Sequence, residues 1–202
     1  MSQTKLDPRM LDASTPLPSM SGAALTGVDS DFAFISKTTI SSSVSASVVN
    51  FDSTAYSNYV IWIRDLHGVS DGNVQIRWSN DNGTTFTNQN YGFFHGGGRN
   101  DSSKTYGMSP SAYGRLADAS WNNAGSKFNA TINLTTKAGD AQDEVCMWFT
   151  CAYNDSTSSR YQSFGAGAIH VVAPGYTTAF EISNGGGNID EGTITLYGLK
   201  ES

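Results

Sequence analysis

The feature that most constrains this chain is its punctuation. From Asp31 onward, short runs rich in Val, Ile, Thr, Phe, Tyr and Trp succeed one another, each closed by Gly, Asn, Asp or Ser. β-branched and aromatic side chains suit a pleated, half-buried surface, and the closing residues supply turns, so each run reads as a strand. About ten such runs are legible, from "DFAFISKTTI" to "GTITLYGL". Helical periodicity is almost missing, and "PSAYGRLADAS" is the one segment with room for a helical turn. Short strands at regular intervals with polar turns predict an all-β fold, an antiparallel β-sandwich with jelly-roll-like topology.

Alternation within the runs assigns faces. In "NVQIRWS", Val74, Ile76 and Trp78 share one face and Asn73, Gln75 and Arg77 the other, the pattern of a strand with one wet side. In "EVCMWFTCAY", Val145, Met147, Phe149 and Tyr153 oppose Cys146, Trp148 and Ala152, so both faces are apolar and a second layer or another subunit is expected to cover the strand. The odd spacing of Cys146 and Cys151 puts their thiols on opposite faces, which predicts two unbonded, hydrophobe-like cysteines. The closing stretch "FEISNGGGNIDEGTITLYGLK" reads as a hairpin whose turn, Asn184 to Gly187, uses positive φ.

The first 30 residues differ. Pro8, Pro16 and Pro18 stand among Ser, Thr and Ala without sustained period, so residues 1–30 are expected to form an extended arm ahead of a sandwich domain over 31–202. An extended arm of about 28 residues reaches roughly 90 Å. Leu6, Met10, Leu11, Leu17 and Met20 are its hydrophobic anchors and the candidate attachment residues.

Composition narrows the function classes. With 18 acids against 12 bases the net charge is −6, and no Lys/Arg cluster interrupts it, so no nucleic-acid groove is expected. Charged residues make up only 15% of the chain, which leaves a surface of hydroxyls and amides. No apolar run approaches the ~18 residues of a membrane span, and "MSQTKLDPRML" lacks a signal-peptide core, so a soluble protein made in a cytosol is expected, without membrane insertion. The N-x-S/T triplets at Asn82, Asn100, Asn129, Asn133 and Asn154 then carry no glycosylation signal.

Motifs for catalysis are weak. His67, His95 and His170 stand singly, without metal-ligand spacing. No G-x-S-x-G surrounds a serine. The acids at Asp140, Asp143, Glu144, Asp190 and Glu191 fall in turn-like sequence, where carboxylates are solvated. "FFHGGGRN" reads as a glycine-rich loop with no phosphate-binding Lys-Ser/Thr after it. No catalytic residue, metal or cofactor is therefore assigned. "SNDNGTTF" matches the Asp-box pattern S-x-D-x-G-x-T-[WF], a structural hairpin turn in which Ser79, Asp81, Gly83, Thr85 and Phe86 hold local backbone. The stretch from Asn90 to Lys127 reads as a long loop carrying Tyr106, Tyr113 and Trp121 amid Gly, Ser and Asn. Such aromatics either cap the core or stack on sugars, which makes these three the glycan-binding candidates.

With these residues laid out, the chain resembles a group of tailed-bacteriophage and prophage virion proteins. In that family a "Y-x-x-Y" region precedes "N-V-x-x-x-x-D-G", then "R-x-S-x-D-G-G-x-T-F/Y", and the chain closes with "S-G-N-I-x-x-G-T-x-x-L-Y-G". Tyr56, Tyr59, Asp71, Gly72, Arg77, Ser79, Gly83, Phe86, Asn188, Ile189, Gly192, Thr193, Leu196, Tyr197 and Gly198 match it, over residues 31 to 200. "RDLHGVSDG" and "NDNG" depart from the pattern at turns, and Asn90 to Lys127 follows none. The resemblance implies a non-enzymatic virion structural protein, a tail-fibre, tail-tip or head-decoration component assembled in the host cytoplasm. It implies contacts with other virion proteins, homotrimeric assembly and a role in host attachment. The alternative from the aromatic stretch is a lectin-like, receptor-binding carbohydrate module that meets a host surface glycan.

Overall fold

The computed structural model describes residues 32–52, 55–56, 58–70, 72–86, 91–99, 102–105, 109–111, 113–119, 127–136, 144–154, 160–170 and 177–199. The described residues form an all-β fold of thirteen strands in two antiparallel sheets. They are β1 (Phe32–Ile40), β2 (Ala46–Asn50), β3 (Asn58–Gly68), β4 (Gly72–Ser79), β5 (Tyr91–Arg99), β6 (Ser102–Thr105), β7 (Ser109–Ser111), β8 (Gly114–Ala119), β9 (Phe128–Thr136), β10 (Glu144–Asn154), β11 (Arg160–His170), β12 (Ala179–Asn184) and β13 (Ile189–Leu199). The large sheet runs β1-β13-β3-β9-β10-β11-β5-β6, with β7 also on β5, and the small sheet runs β2-β12-β4-β8.

The chain changes sheets between β1 and β2, β2 and β3, β3 and β4, β4 and β5, β7 and β8, β8 and β9, β11 and β12, and β12 and β13. Two of these crossings correct the sequence expectations. The closing stretch is not a hairpin: β12 pairs with β2 and β4, whereas β13 pairs with β1 and β3, so Asn184–Gly187 is a corner between sheets. None of its four residues has positive φ. A Cβ on Gly185 would lie 2.3 Å from Gln75 Nε2 and one on Gly187 would lie 2.1 Å from Ser70 Oγ, so either would push aside the end of a side chain. Likewise "SNDNGTTF" leads from β4 out of the small sheet to β5 of the large one, and is no hairpin turn between paired strands.

The stretch from Asn90 to Lys127 is also not one long loop. It holds β5 to β8, and "FFHGGGRN" lies largely within β5, paired along its length with β11. Gly96, Gly97 and Gly98 stand opposite Phe164, Ser163 and Gln162. Backbone ladder bonds need no side chain, so a glycine run can be zipped between neighbours that its own composition does not recruit. "PSAYGRLADAS" likewise contributes β7 and β8 and no helix.

The core lies between the sheets. Tyr59, Ile61 and Ile63 of β3, Ile132 and Leu134 of β9, Met147, Phe149 and Cys151 of β10, and Ile194 and Leu196 of β13 face Val74, Ile76 and Trp78 of β4, Leu116 of β8 and Ile182 of β12. Each fully buried large side chain contributes about 1.5–3 kcal/mol of transfer free energy. The alternation expected for "NVQIRWS" holds, with Val74, Ile76 and Trp78 buried and Asn73, Gln75 and Arg77 partly exposed. Cys151 is buried, and its Sγ donates to the Leu116 carbonyl beneath it on β8 at 3.4 Å.

Central β12 is buried along its whole length. Its Glu181 lies on the outer side of the small sheet, and Arg77 of β4 donates to Glu181 Oε1 through Nε at 2.8 Å and Nη2 at 2.6 Å. Phe86 folds back so that its ring centroid lies 5.4 Å from the Arg77 guanidinium carbon. The loop after β4 therefore roofs an ion pair that would otherwise face water.

Candidate functional site

The outer face of the large sheet is built by strict period-two alternation. Residues of β3 that oppose the buried Tyr59, Ile61 and Ile63 are Val60, Trp62 and Arg64, and those of β10 opposing Met147, Phe149 and Cys151 are Trp148, Thr150 and Ala152. Pairing lines these side chains up in rows. One row reads Phe34, Tyr197, Val60, Asn133, Trp148, Ala166 across six strands, and the next reads Lys37, Thr195, Trp62, Thr131, Thr150, Phe164. A third carries Thr39, Thr193 and Arg64, then Asn129, Ala152 and Gln162. Every exposed Phe or Trp among the described residues stands on this face: Phe32, Phe34, Trp62, Trp148 and Phe164. Trp148 is 56% and Phe164 58% exposed, so the second apolar face of β10 is not covered by another layer of the described chain.

Ring contacts order one end of the face. Tyr197 receives Phe32 and Phe34 edge-on, at centroid distances of 6.4 and 6.0 Å, and lies 4.8 Å from Trp62. The Arg64 guanidinium carbon lies 5.7 Å from the Trp62 ring centroid. Among the described residues no carboxylate stands within ion-pair distance of Arg64. The three rows contain two cations, Lys37 and Arg64, and no carboxylate, in a chain whose net charge is −6.

Next to Arg64 the sheet is distorted. Asp65 has φ 51°, and the β3–β9 register shifts between Ile63 and Leu66. The Asp65 N–H donates to Asn129 Oδ1 at 3.1 Å, which directs the Asn129 amide nitrogen away from the bulge. Beside these residues a shallow groove of about 370 Å³ crosses β3, β9, β10 and β11, bordered by Arg64 on one side and Phe164 and Gln162 on the other. Asn129, Thr131 and Thr150 lie between them.

The Asp-box-like turn is a hydrogen-bond knot whose Asn82 N–H also donates to Thr178 Oγ1, just ahead of β12, at 2.8 Å. Asp81 Oδ1 accepts from Ser79 Oγ at 2.6 Å and from the Thr85 N–H at 2.8 Å, and Oδ2 accepts from Thr85 Oγ1 at 2.5 Å. Ser79 Oγ in turn accepts the Gly83 N–H at 2.9 Å. Asn82 and Gly83 both take left-handed backbone, at φ 56° and 79°. The Ser79 and Thr85 hydroxyls hold the Asp81 carboxyl well below the ordinary carboxylate range, at about 2. All the carboxylate's partners lie within its own loop, which is what a structural turn requires.

Of the sequence-based glycan candidates, Tyr113 lies just ahead of β8, where its hydroxyl accepts from Arg115 Nη2 at 3.3 Å. Tyr106 and Trp121 lie outside the described residues, as do the arm residues Leu6, Met10, Leu11, Leu17 and Met20. His67 pairs with Asp190, Nδ1 to Oδ1 at 2.7 Å. Among the described residues no three His, Cys, Asp or Glu side chains cluster as a metal site would need. Trp62, Arg64, Thr131, Thr150 and Phe164 were not singled out from the sequence. The alternation in "NYVIWIRDL" carries the signal for the first two, but only pairing shows which neighbours they meet.

No family model, curated protein or solved structure matches this chain.

Proposed function

We propose that this chain is a non-enzymatic structural protein of a bacteriophage virion, a tail-fibre, tail-tip or head-decoration component. In this reading residues 1–30 attach it to other virion proteins and the outer face of its large sheet is the working surface. The observation that carries the reading is that face: aromatic side chains at Phe34, Trp62, Trp148 and Phe164 stay exposed on a rigid sheet and share it with hydroxyls and amides. A soluble domain holding such a patch open to water has it for contact.

The strand order supports a jelly roll. Numbering β1, β2, β3, β4, β8, β9, β12 and β13 as strands one to eight, the sheets read 1-8-3-6 and 2-7-4-5, with β10, β11 and β5 to β7 extending the larger one. The residues that carry the resemblance to phage virion proteins have scaffold work in this fold. Arg77 neutralises Glu181, Gly83 takes positive φ, and Gly198 leaves room for the Tyr56 ring, which would lie 2.4 Å from a Cβ there. Peptide mass spectrometry of purified particles is expected to find the protein in several copies per particle. Its absence from particles that otherwise carry their full protein set would overturn the virion assignment.

A further inference from the structure

The groove on the outer face has the chemistry of a ligand site rather than of a flat subunit contact. Its borders are bulky and its floor is small. Arg64 on β3 and Phe164 on β11 are separated by β9 and β10, which puts the two borders three strand spacings apart, roughly 14 Å. Between them Thr131 pairs with Thr150 and Asn129 with Ala152, so the floor offers hydroxyl and amide groups on short side chains. The space of about 370 Å³ suits one or two pyranose rings better than a helix or a strand.

Three features specify the ligand class. Phe164 presents a ring that is 58% exposed, the kind of face on which the C–H side of a sugar stacks. Asn129 commits its Oδ1 to the Asp65 N–H, and this leaves its amide nitrogen as a donor, while Thr131, Thr150 and Gln162 offer both donors and acceptors. Arg64 supplies a planar guanidinium steadied by Trp62 and without a carboxylate partner among the described residues, a fork suited to bidentate capture of a carboxylate. The sheet rows around it carry Lys37 and no acid, although the Asp65 carboxylate lies next along the chain at the bulge. The bulge at Asp65, with a non-glycine residue at φ 51°, sits beside Arg64, and distortions of this kind gather where a strand re-aims a side chain for binding.

We propose that this groove binds a carboxylate-bearing saccharide, with the sugar carboxylate on Arg64, ring hydroxyls on Asn129, Thr131, Thr150 and Gln162, and a sugar face on Phe164. The proposal rests on reading the outer face as the working surface. It places the saccharide site on β3, β9, β10 and β11, away from Tyr113.

Isothermal titration of the full chain with tetragalacturonate is the test, alongside its fully methyl-esterified form, which keeps the rings and removes the charges, and a short poly-glutamate. Tetragalacturonate is expected to bind, with the ester and poly-glutamate at least tenfold weaker. Arg64→Gln is expected to lose at least tenfold and most of the salt dependence, and Phe164→Ala to lose at least tenfold. Val48→Thr, exposed on β2 of the small sheet, leaves affinity unchanged and reports that the fold is intact. No binding at millimolar tetragalacturonate, equal binding of the ester, or unchanged affinity in Arg64→Gln would each overturn the proposal. Equal binding of poly-glutamate would replace a saccharide by an acidic peptide. Particle composition is scored separately. A protein present in virions that ignores tetragalacturonate loses the groove and keeps its virion role, whereas binding by a protein absent from virions has the opposite meaning.

Discussion

Single residues hold this sandwich at places where backbone would otherwise be left unsatisfied. The Tyr59 hydroxyl donates to the Asp52 carbonyl and accepts the Tyr56 N–H at 3.1 Å, pinning the irregular segment that leads into β3. Burial pushes this phenol up to about 12. Tyr59→Phe is expected to cost about 1–2 kcal/mol in urea unfolding, since it strands two backbone partners. Because the folded pKa is raised, the phenol's contribution is complete below about 10 and is lost as pH climbs towards 12, a decline that Tyr59→Phe should abolish. Asp81 has the opposite sign. Its folded pKa of about 2 lies below the unfolded 3.8, so its contribution is complete above that value and disappears as pH falls through 2. Asp81→Ala is therefore expected to lower the melting temperature at pH 7, with the gap to wild type closing between pH 4 and 2. A gap that persists at pH 2 would mean that the carboxylate is not what closes the turn.

At the scale of elements, glycine sets how closely strands and corners approach. Gly192 has φ 140° in a bulge of β13, where a Cβ would meet the Leu66 Cα at 2.8 Å, and Leu66 itself follows the Asp65 bulge of β3. Two irregular strands thus nest without a side chain between them. Gly72 opens β4 where a Cβ would lie 2.2 Å from the Gly186 nitrogen. Gly192→Ala and Gly72→Ala are each expected to destabilise by more than about 2 kcal/mol in denaturant titrations, because backbone cannot yield as a side chain does. The Arg77–Glu181 pair ties β4 to β12 under Phe86. Arg77→Ala leaves a buried carboxylate alone and should cost about 3 kcal/mol. If it costs no more than a surface substitution, Glu181 does not depend on Arg77.

For the whole molecule, the large sheet ends at β1 and at β6 and β7, the small sheet at β2 and β8, among the described residues, and the large sheet keeps an aromatic outer face. Closed symmetry is a way to protect edges and patches together, and we expect a homotrimer in solution. Sedimentation of the intact protein as a monomer at high concentration would remove that expectation. The buried core runs from Ile40 to Leu196, so deleting residues 1–28 should leave a soluble, cooperatively folding domain. Particles assembled with the truncated chain should lack it. Incorporation at the wild-type level would show that attachment lies elsewhere.

Period two is a local property, so the sequence alone determined an all-β chain and the inward side of its regular strands. Val74, Ile76 and Trp78 point to the core because their spacing leaves them no other common side. Turn residues alone also located the Asp81 loop, whose carboxylate hydrogen bonds span four residues or fewer. Which sheet a strand joins is not local. The stretch of residues 180–199 has the pattern of a hairpin, yet β12 lies between β2 and β4 while β13 lies between β1 and β3. The glycine run of β5 has no strand propensity and is a strand because β11 supplies its partners. Tertiary structure alone decided the groove as well: Arg64 and Phe164 are 100 positions apart in the chain, and the pairing of four strands sets them on opposite borders of one floor.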